Sequence, residues 1–463
     1  PLGIVTTLRP VRHIPDSLSI SELYVDHEAA SRLSAKPLPR IPRNWSDVFL
    51  RLDQLLKLYE QAPLKSLRET AMRRAERWLV DHLSDGTEGL GAIFPPMVYL
   101  LIVFRLLKYP DDHPTVVAAQ QHLKDLMIRD GDTIRLQPCF SPVWDTGIAL
   151  NAVAETGLGE GDESADRAVD WLLSKECRMA SDWRKNTVAV APGGWFFEFN
   201  NPHYPDTDDT AMVARALART GGKRARAAIV RAVDWLFAMQ NDDGGWAAFD
   251  KTRDRPLLEK IPFADHNAMQ DPSCPDIAAR VIEGLGGCGV KVSHPAIKRA
   301  VKYLRRTQDP CGAWWGRWGV NFIYGTWQTL CGLKSVGQDM REPWIIRAAD
   351  WLRSVQKPVG SWGESCASYD DANLKGIGDS TPSQTAWGVM GLMAVVGADD
   401  ADVRRGIQWL VDRQDSDGEW EERPFTGTGF PRVFYLKYHL YRHYFPLMAL
   451  ARYRRLSGSS NPG

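Results

Sequence analysis

The sequence predicts an all-α fold in which pairs of helices build an α/α toroid or barrel. A recurring segment carries this prediction. It begins with an Arg, has an aromatic residue four residues later that is followed by Leu, and continues with a Gln, a Gly-containing turn and a Trp. Copies lie about 50 to 70 residues apart, which is room for two helices each. Clear copies begin at Arg231, Arg299, Arg347 and Arg405, and weaker copies without the Gln begin at Arg74 and Arg167.

Each repeat has a readable local structure. Its aromatic-Leu pair, such as Trp351-Leu352, predicts the buried stripe of an amphipathic helix. The Gly just past the helix end suits a left-handed cap. The Gln amide can bond unpaired backbone groups near the helix end, and the Trp can cover that joint. Strand signals are few, and we predict short strands only at 133–136 and 188–190.

Composition excludes several classes of protein. Lys and Arg together number 57, as do Asp and Glu, so the basic face that nucleic acid requires is not indicated and we expect no nucleic-acid partner. The seven Cys are scattered, without a CxxC pair or a Cys/His cluster, which indicates reduced cytoplasmic thiols and no zinc site. The excess is aromatic: 18 Trp exceed the needs of a core, so some are expected to line a site.

We predict a boundary near residue 127, between a first domain at 1–127 and a second domain at 128–463, because the repeats are regular only after it. An irregular Pro-rich stretch, 37–42, precedes the first long helix. Ordinary core packing and a membrane-facing surface both explain the apolar face of that helix. This face consists of Trp45, Val48, Phe49, Leu52, Leu55, Leu56 and Tyr59.

The sharpest local feature is the acidic segment Asp206-Thr207-Asp208-Asp209, directly before the helical run 211–217. It fits a helix start with Asp206 as N-cap, a magnesium site or a protonating site. Partly buried carboxylates this close cannot all ionise cheaply, so at least one keeps its proton near neutral pH. Protonation of a carbon–carbon double bond also needs dry, aromatic surroundings, which the segments at 141–146, 192–199, 316–326 and 427–441 can supply.

The Gln…Gly-x-Trp repeats resemble those of the triterpene cyclases, and Asp206-Thr207-Asp208-Asp209 matches the DxDD motif of the squalene–hopene branch. The segments 271–276, 316–319 and 427–431 also resemble squalene–hopene cyclases, in the expected order, and the resemblance covers nearly the whole chain. It implies two α/α barrels around a large cavity, with a further segment ahead of Pro1 completing the first barrel. We predict no metal and no cofactor.

The resemblance also implies residue roles. Asp208 corresponds to the proton donor, Asp206 and Asp209 to its flanking carboxylates, and Asp276 and Arg280 to its acidic and basic partners. Some members carry His where Arg280 stands; an Arg keeps its proton, so it can polarise the acid but not relay a proton. Tyr324 lies near the acid by the same resemblance. The cavity lining corresponds to Trp144, Phe197, Phe249 (Tyr in some members), Trp318, Phe430, Phe434, Tyr438 and Tyr441.

The implied function is protonation-initiated polycyclisation of squalene to hopene or hopanol, in hopanoid biosynthesis. The implied setting is a bacterial homodimer on one leaflet, at the cytoplasmic face of the cell membrane. Three alternatives stay open: a related DxDD cyclase acting on another linear polyprenyl substrate, a carbohydrate hydrolase on an α/α barrel with paired carboxylates, and a non-catalytic toroid that binds a protein or lipid.

Overall fold

A computed structural model describes residues 1–18, 20, 23–25, 41–61, 64–84, 86–264, 266 and 268–458. Most of the predicted Pro-rich stretch, 37–40, lies outside the described residues. The chain divides into two compact units, one of residues 1–139 with 255–270 and the other of residues 140–254 with 271–463. The predicted boundary, between residues 127 and 128, falls inside a hairpin that begins at Met127 and that the structure keeps with the first unit.

The described residues of the first unit form five α-helices and that hairpin. Pro95 and Pro114 stand in the first turns of two helices, where a missing N–H costs nothing. The small core gathers Ile4, Leu79 and Phe104. The elements are α1 (Leu2–Leu8), α2 (Trp45–Gln61), α3 (Lys65–Ser84), α4 (Phe94–Leu106), α5 (Pro114–Asp125), β1 (Met127–Asp130) and β2 (Thr133–Leu136).

The second unit is a closed α/α barrel, as predicted. The even-numbered helices from α6 to α16 each pack on the next, and α16 returns to α6, while each odd-numbered helix packs outside against an inner neighbour. The helices are α6 (Pro142–Glu155), α7 (Glu163–Ser174), α8 (Thr207–Thr220), α9 (Gly222–Met239), α10 (Pro275–Gly287), α11 (Pro295–Arg306), α12 (Phe322–Ser335), α13 (Pro343–Ser354), α14 (Pro382–Val396), α15 (Ala401–Asp412) and α16 (Tyr441–Gly458). Because inner and outer helices alternate, the inner helices begin at one end of the barrel.

The repeats form a common hydrogen-bonded joint, which confirms the roles predicted for Gln and Trp. The amide of Gln356 donates to the carbonyls of Gly360 (2.8 Å) and Asp402 (2.9 Å), the second of them in the next outer helix. The indole of Trp362 donates to the carbonyl of Leu352 at 2.8 Å. The amides of Gln240 and Gln308 and the indoles of Trp246 and Trp314 donate to backbone carbonyls at the equivalent positions of their repeats.

The repeat glycines differ from the prediction in one respect. They do adopt positive φ, for example 94° at Gly360, but they lie in the turn four residues after the Gln, not at the helix cap. In the first repeat the left-handed glycine is Gly244 and not Gly245. A Cβ on Gly360 would lie 2.5 Å from the carbonyl oxygen of Arg405. The close approach of the next outer helix therefore requires glycine.

The strand predictions were half right. Residues 133–136 form β2, paired antiparallel with the unpredicted β1. Residues 188–190 form no strand; they follow a short 3₁₀ turn at Asp182–Asn186. The sequence did not predict a second hairpin, of β3 (Gly427–Phe430) and β4 (Phe434–Leu436). The glycines of β3 interrupt the alternation of apolar and polar side chains that is typical of a strand.

Candidate active site

The predicted site residues gather at the end of the barrel where the inner helices begin. The acidic segment opens α8, Asp276 and Arg280 lie in the first turns of α10, and Tyr324 lies in the first turn of α12. Trp144 and Tyr441 occupy the first turns of α6 and α16. Residues far apart in sequence are therefore brought together by barrel closure, which a sequence repeat predicts only in outline.

Backbone contacts fix the acidic segment in place. Asp206 is the N-cap of α8, and its Oδ1 accepts a hydrogen bond from the backbone N–H of Asp209 at 2.7 Å. The hydroxyl of Thr207 donates to the carbonyl of Ala247 at 2.7 Å. The helix-cap interpretation is thus correct for Asp206, and it leaves the three carboxyl groups in a rigid arrangement.

Asp206 and Asp209 form a buried carboxyl pair. Burial raises the pKa of Asp206 to about 7. Burial, and then the charge of Asp206, raise the pKa of Asp209 well above its ordinary range. Oδ2 of Asp206 and Oδ1 of Asp209 are buried and receive no hydrogen bond from a fixed donor. A proton held by this pair removes the repulsion between two buried carboxylates.

Asp208 has a different environment because a cation contacts it. Nε of Arg280 donates to Oδ1 of Asp208 at 3.0 Å, and Nη2 of Arg280 donates to the hydroxyl of Tyr324 at 2.9 Å. Burial raises the pKa of Asp208, and the guanidinium opposes that rise. Burial of Arg280 is outweighed by Tyr324, Asp208 and Glu283, which together raise its pKa. Arg280 is therefore a permanent cation at this site.

Asp276 completes the acid cluster and holds the neighbouring loop. Its Oδ2 accepts hydrogen bonds from the backbone N–H groups of Arg317 (2.7 Å) and Trp318 (2.9 Å). Burial raises the pKa of Asp276 to about 6, the charge of Asp208 adds to the rise, and the two N–H groups oppose it. Asp276 is thus held to the loop that carries Trp318.

The predicted aromatic residues form two connected groups. In the first, ring centroids lie 6.4 Å apart between Trp144 and Phe197, 6.2 Å between Phe197 and Tyr438, and 4.4 Å between the stacked Tyr438 and Tyr441. The indole of Trp144 also donates to the hydroxyl of Tyr441 at 3.1 Å. Trp144 and Tyr441 are almost fully buried and back the group, whereas Phe197 and Tyr438 keep partly open faces.

The second group is more open. Phe249 and Trp318 meet edge to face at 6.1 Å, and Phe430 and Phe434 lie 5.9 Å apart on the hairpin β3–β4. Phe249 is 39% exposed and Phe434 is 36% exposed, values typical of a surface that contacts something else. The two groups together offer several ring faces beside the acid cluster.

Sequence reasoning missed three contributors. Trp327 lies one helical turn after Tyr324, with its ring centroid 5.5 Å from the Arg280 guanidinium, and the i, i+3 spacing could have found it. Asp271 accepts the backbone N–H groups of Phe249 (2.6 Å) and Asp250 (3.2 Å). Arg317 lies in the segment 316–319, which resembles the family, but the resemblance gave this residue no role. Among the described residues, no group of three His, Cys, Asp or Glu side chains is placed to hold a metal ion.

Comparison with known proteins agrees with this geometry. The family model of the squalene-hopene cyclase N-terminal domain matches residues 1–132, and that of the C-terminal domain matches residues 140–455. The chain belongs to the squalene–hopene cyclase family. The second match begins at residue 140, where the second compact unit also begins. The first match ends at residue 132, within the first unit.

Relatives in the squalene–hopene cyclase family match almost the entire chain. The squalene–hopene cyclase of Zymomonas mobilis is 38% identical over 480 residues, covering 100% of this chain and 71% of that protein. The squalene-hopene cyclase of Schizosaccharomyces japonicus is 42% identical, with 100% and 71% covered. The dammaradiene synthase of Dryopteris crassirhizoma is 39% identical, with 99% and 70% covered. The protein is thus a terpene cyclase. This excludes two of the alternatives left open by the sequence, a carbohydrate hydrolase and a non-catalytic toroid.

Proposed function

We propose that Asp208 protonates a terminal double bond of squalene and that the barrel guides the resulting cation through successive ring closures. One observation carries the proposal: a buried carboxyl group bonded to a permanent cation, beside open aromatic faces. Burial keeps the proton on the acid between turnovers. The guanidinium of Arg280 stabilises the carboxylate that remains after transfer, so Asp208 is a stronger acid at the moment of reaction.

Exposure distinguishes Asp208 from its neighbours. Asp208 is 9% exposed, whereas Asp206 and Asp209 are each 3% exposed. Asp208 is therefore the acid that a substrate can reach. The proton held by Asp206 and Asp209 lies next to it, so this pair can return a proton to Asp208 after each turnover, a task that Arg280 cannot perform.

The aromatic groups supply the rest of the chemistry. A desolvated cation–π contact is worth up to about 2 kcal/mol or more, so successive ring faces can hold a moving carbocation. Exclusion of water prevents early capture of that cation. Loss of a proton from the last cation gives hopene, whereas addition of water followed by loss of a proton from its oxygen gives hopanol. Either route releases one proton for the one that Asp208 supplied. The dammaradiene synthase among the relatives keeps an alternative open, a DxDD cyclase with another product or another linear polyprenyl substrate.

We further propose that α2 attaches the protein to one leaflet of a membrane, at the cytoplasmic face of a bacterial cell. No helix among the described residues is both long and apolar enough to cross a bilayer. The predicted apolar face of α2 supports surface attachment: Trp45 is 56% exposed, Leu55 62% and Leu56 59%. In the described part of the unit, packing leaves these three side chains more than half exposed, while Val48 and Phe49 are half-buried. A homodimer and a place in hopanoid biosynthesis are part of the same proposal.

Turnover of squalene tests the proposal. Purified protein is incubated with squalene in detergent, and products are identified by gas chromatography with mass detection. Asp208→Asn keeps the volume and removes the transferable proton, so we expect no turnover and a near-normal melting temperature. Asp339→Asn, which changes an exposed aspartate paired with Arg341, is the matched control and should keep wild-type turnover.

A further inference from the structure

Arg317 connects the acid cluster to the hairpin β3–β4. Its backbone N–H donates to Oδ2 of Asp276 at 2.7 Å, and its side-chain Nη1 donates to the carbonyl of Gly429 at 2.7 Å. Gly429 lies in β3 beside Phe430. One residue thus contacts both the acid end of the site and the strand that carries an open aromatic pair.

The guanidinium of Arg317 contacts two rings of the predicted lining. Its central carbon lies 4.4 Å from the ring centroid of Trp318 and 4.8 Å from that of Phe430. Arg stacks on aromatic faces and donates in a fixed plane, which a Lys cannot reproduce. The contact therefore sets both the distance and the relative orientation of these two rings.

The hydrogen bond to Gly429 extends this control to Phe434. The phenyl ring of Phe434 packs where a Cβ of Gly429 would stand. The backbone position of Gly429 consequently determines where Phe434 lies, and Arg317 holds that position through the carbonyl. Backbone pairing of Thr428 with Trp318, at 3.2 Å, brings the same two segments together but fixes no side chain.

We propose that Arg317 is a positioning residue that determines how far cyclisation proceeds. It holds Phe430 and Phe434 at fixed places relative to Trp318, so that the cation meets the next ring face before it loses a proton. The inference rests on the proposed function. The side chain of Arg317 bonds to the carbonyl of Gly429, whereas the bond to Asp276 uses the backbone N–H of Arg317, which every substitution except proline retains. Initiation should therefore survive loss of the side chain.

The test compares Arg317→Met and Arg317→Lys with wild type in squalene incubations, and measures both squalene consumed and the distribution of products. Met keeps the length and removes the donor and the planar cation; we expect a several-fold larger share of incompletely cyclised products, with consumption within about threefold of wild type. Lys keeps the charge and can reach the Gly429 carbonyl, so it should restore part of the wild-type distribution.

Arg306→Met is the matched control, because Arg306 also stacks on a ring, that of Tyr303 at 5.5 Å, on the outer helix α11. It should leave the distribution unchanged. An unchanged distribution in both Arg317 variants overturns the inference, as does an equal loss of every product. If Arg317→Met fails to fold, the product distribution of Arg317→Lys decides: an unchanged distribution overturns the inference, and a larger share of incompletely cyclised products supports it. Wild-type protein that consumes no squalene refutes the proposed function itself, a result separate from these.

Discussion

Nε of Arg280 lies 3.0 Å from Oδ1 of Asp208, and both residues are buried at the barrel end where the inner helices begin. This pair combines opposing effects on one acid. Burial favours the protonated form, and the adjacent guanidinium favours the carboxylate. The guanidinium is itself held by the hydroxyl of Tyr324 and by the rings of Trp144 and Trp327, with centroids 5.2 and 5.5 Å away. The cation cannot move away from the acid that it activates.

The carboxyl pair predicts a pH-dependent stability. Asp206 has a pKa of about 7 in the folded protein against 3.8 ordinarily, so between these values the folded state binds more protons than the unfolded state. The free energy of unfolding therefore falls as pH rises through this window. Asn cannot ionise and caps a helix equally well. We expect Asp206→Asn to raise the melting temperature by a few degrees more at about pH 8 than at about pH 5. An equal change at both pH values would contradict the account of a proton held by this pair.

A buried ion cluster at the far end of the inner ring predicts a second stability effect. Glu155 in α6 pairs with Arg219 of α8 at 3.0 Å and with Arg452 of α16 at 3.0 Å, so it ties the last inner helix to the first. Loss of one partner leaves buried charge unpaired, which costs about 3–5 kcal/mol. Glu155→Gln should lower the free energy of unfolding by that order in denaturant titrations. Glu421→Gln, which breaks an exposed pair with Arg423, should change it by less than about 1 kcal/mol.

Phe434 tests the aromatic steering. Because it is 36% exposed beside Phe430, truncation removes a ring face and little core packing. We expect Phe434→Ala to consume squalene and release incompletely cyclised products, while Phe434→Trp keeps the full polycycle. Product ratios are measured with the melting temperature of each variant. A lower melting temperature with an unchanged ratio would make Phe434 a structural residue only.

The exposed face of α2 predicts vesicle binding. Leu52→Lys with Leu55→Lys places two charges where the acyl region would lie, so co-sedimentation with phospholipid vesicles should be lost. Gln54→Lys with Glu60→Gln makes the same change in net charge at residues outside the apolar set and should keep binding. Equal co-sedimentation of both double variants would remove α2 as the anchor.

The sequence predicted the barrel and the repeat joints, because periodic Gln and Trp positions are local signals. The resemblance to the family supplied the acids and aromatic residues that the structure brings together at one end of the barrel. It did not predict Arg317 or Asp271, since their roles depend on loops that meet only after the barrel closes. Repeat glycines were placed at the helix cap because a left-handed residue is common there, whereas Gly360 is required by the approach of Arg405 from the next outer helix. The strand at 188–190 was wrong because short apolar runs also occur in bends.

The most direct test of the central claim is cyclisation in heavy water. If Asp208 transfers a solvent-exchangeable proton to a carbon atom, squalene incubated in deuterium oxide should give polycyclic product with one carbon-bound deuterium per molecule, located by mass fragmentation on the first ring. Asp208→Asn should give none of this product, and Asp339→Asn should give it at the wild-type rate. Unlabelled polycyclic product from the wild type, or labelled product from Asp208→Asn, would contradict initiation by this acid.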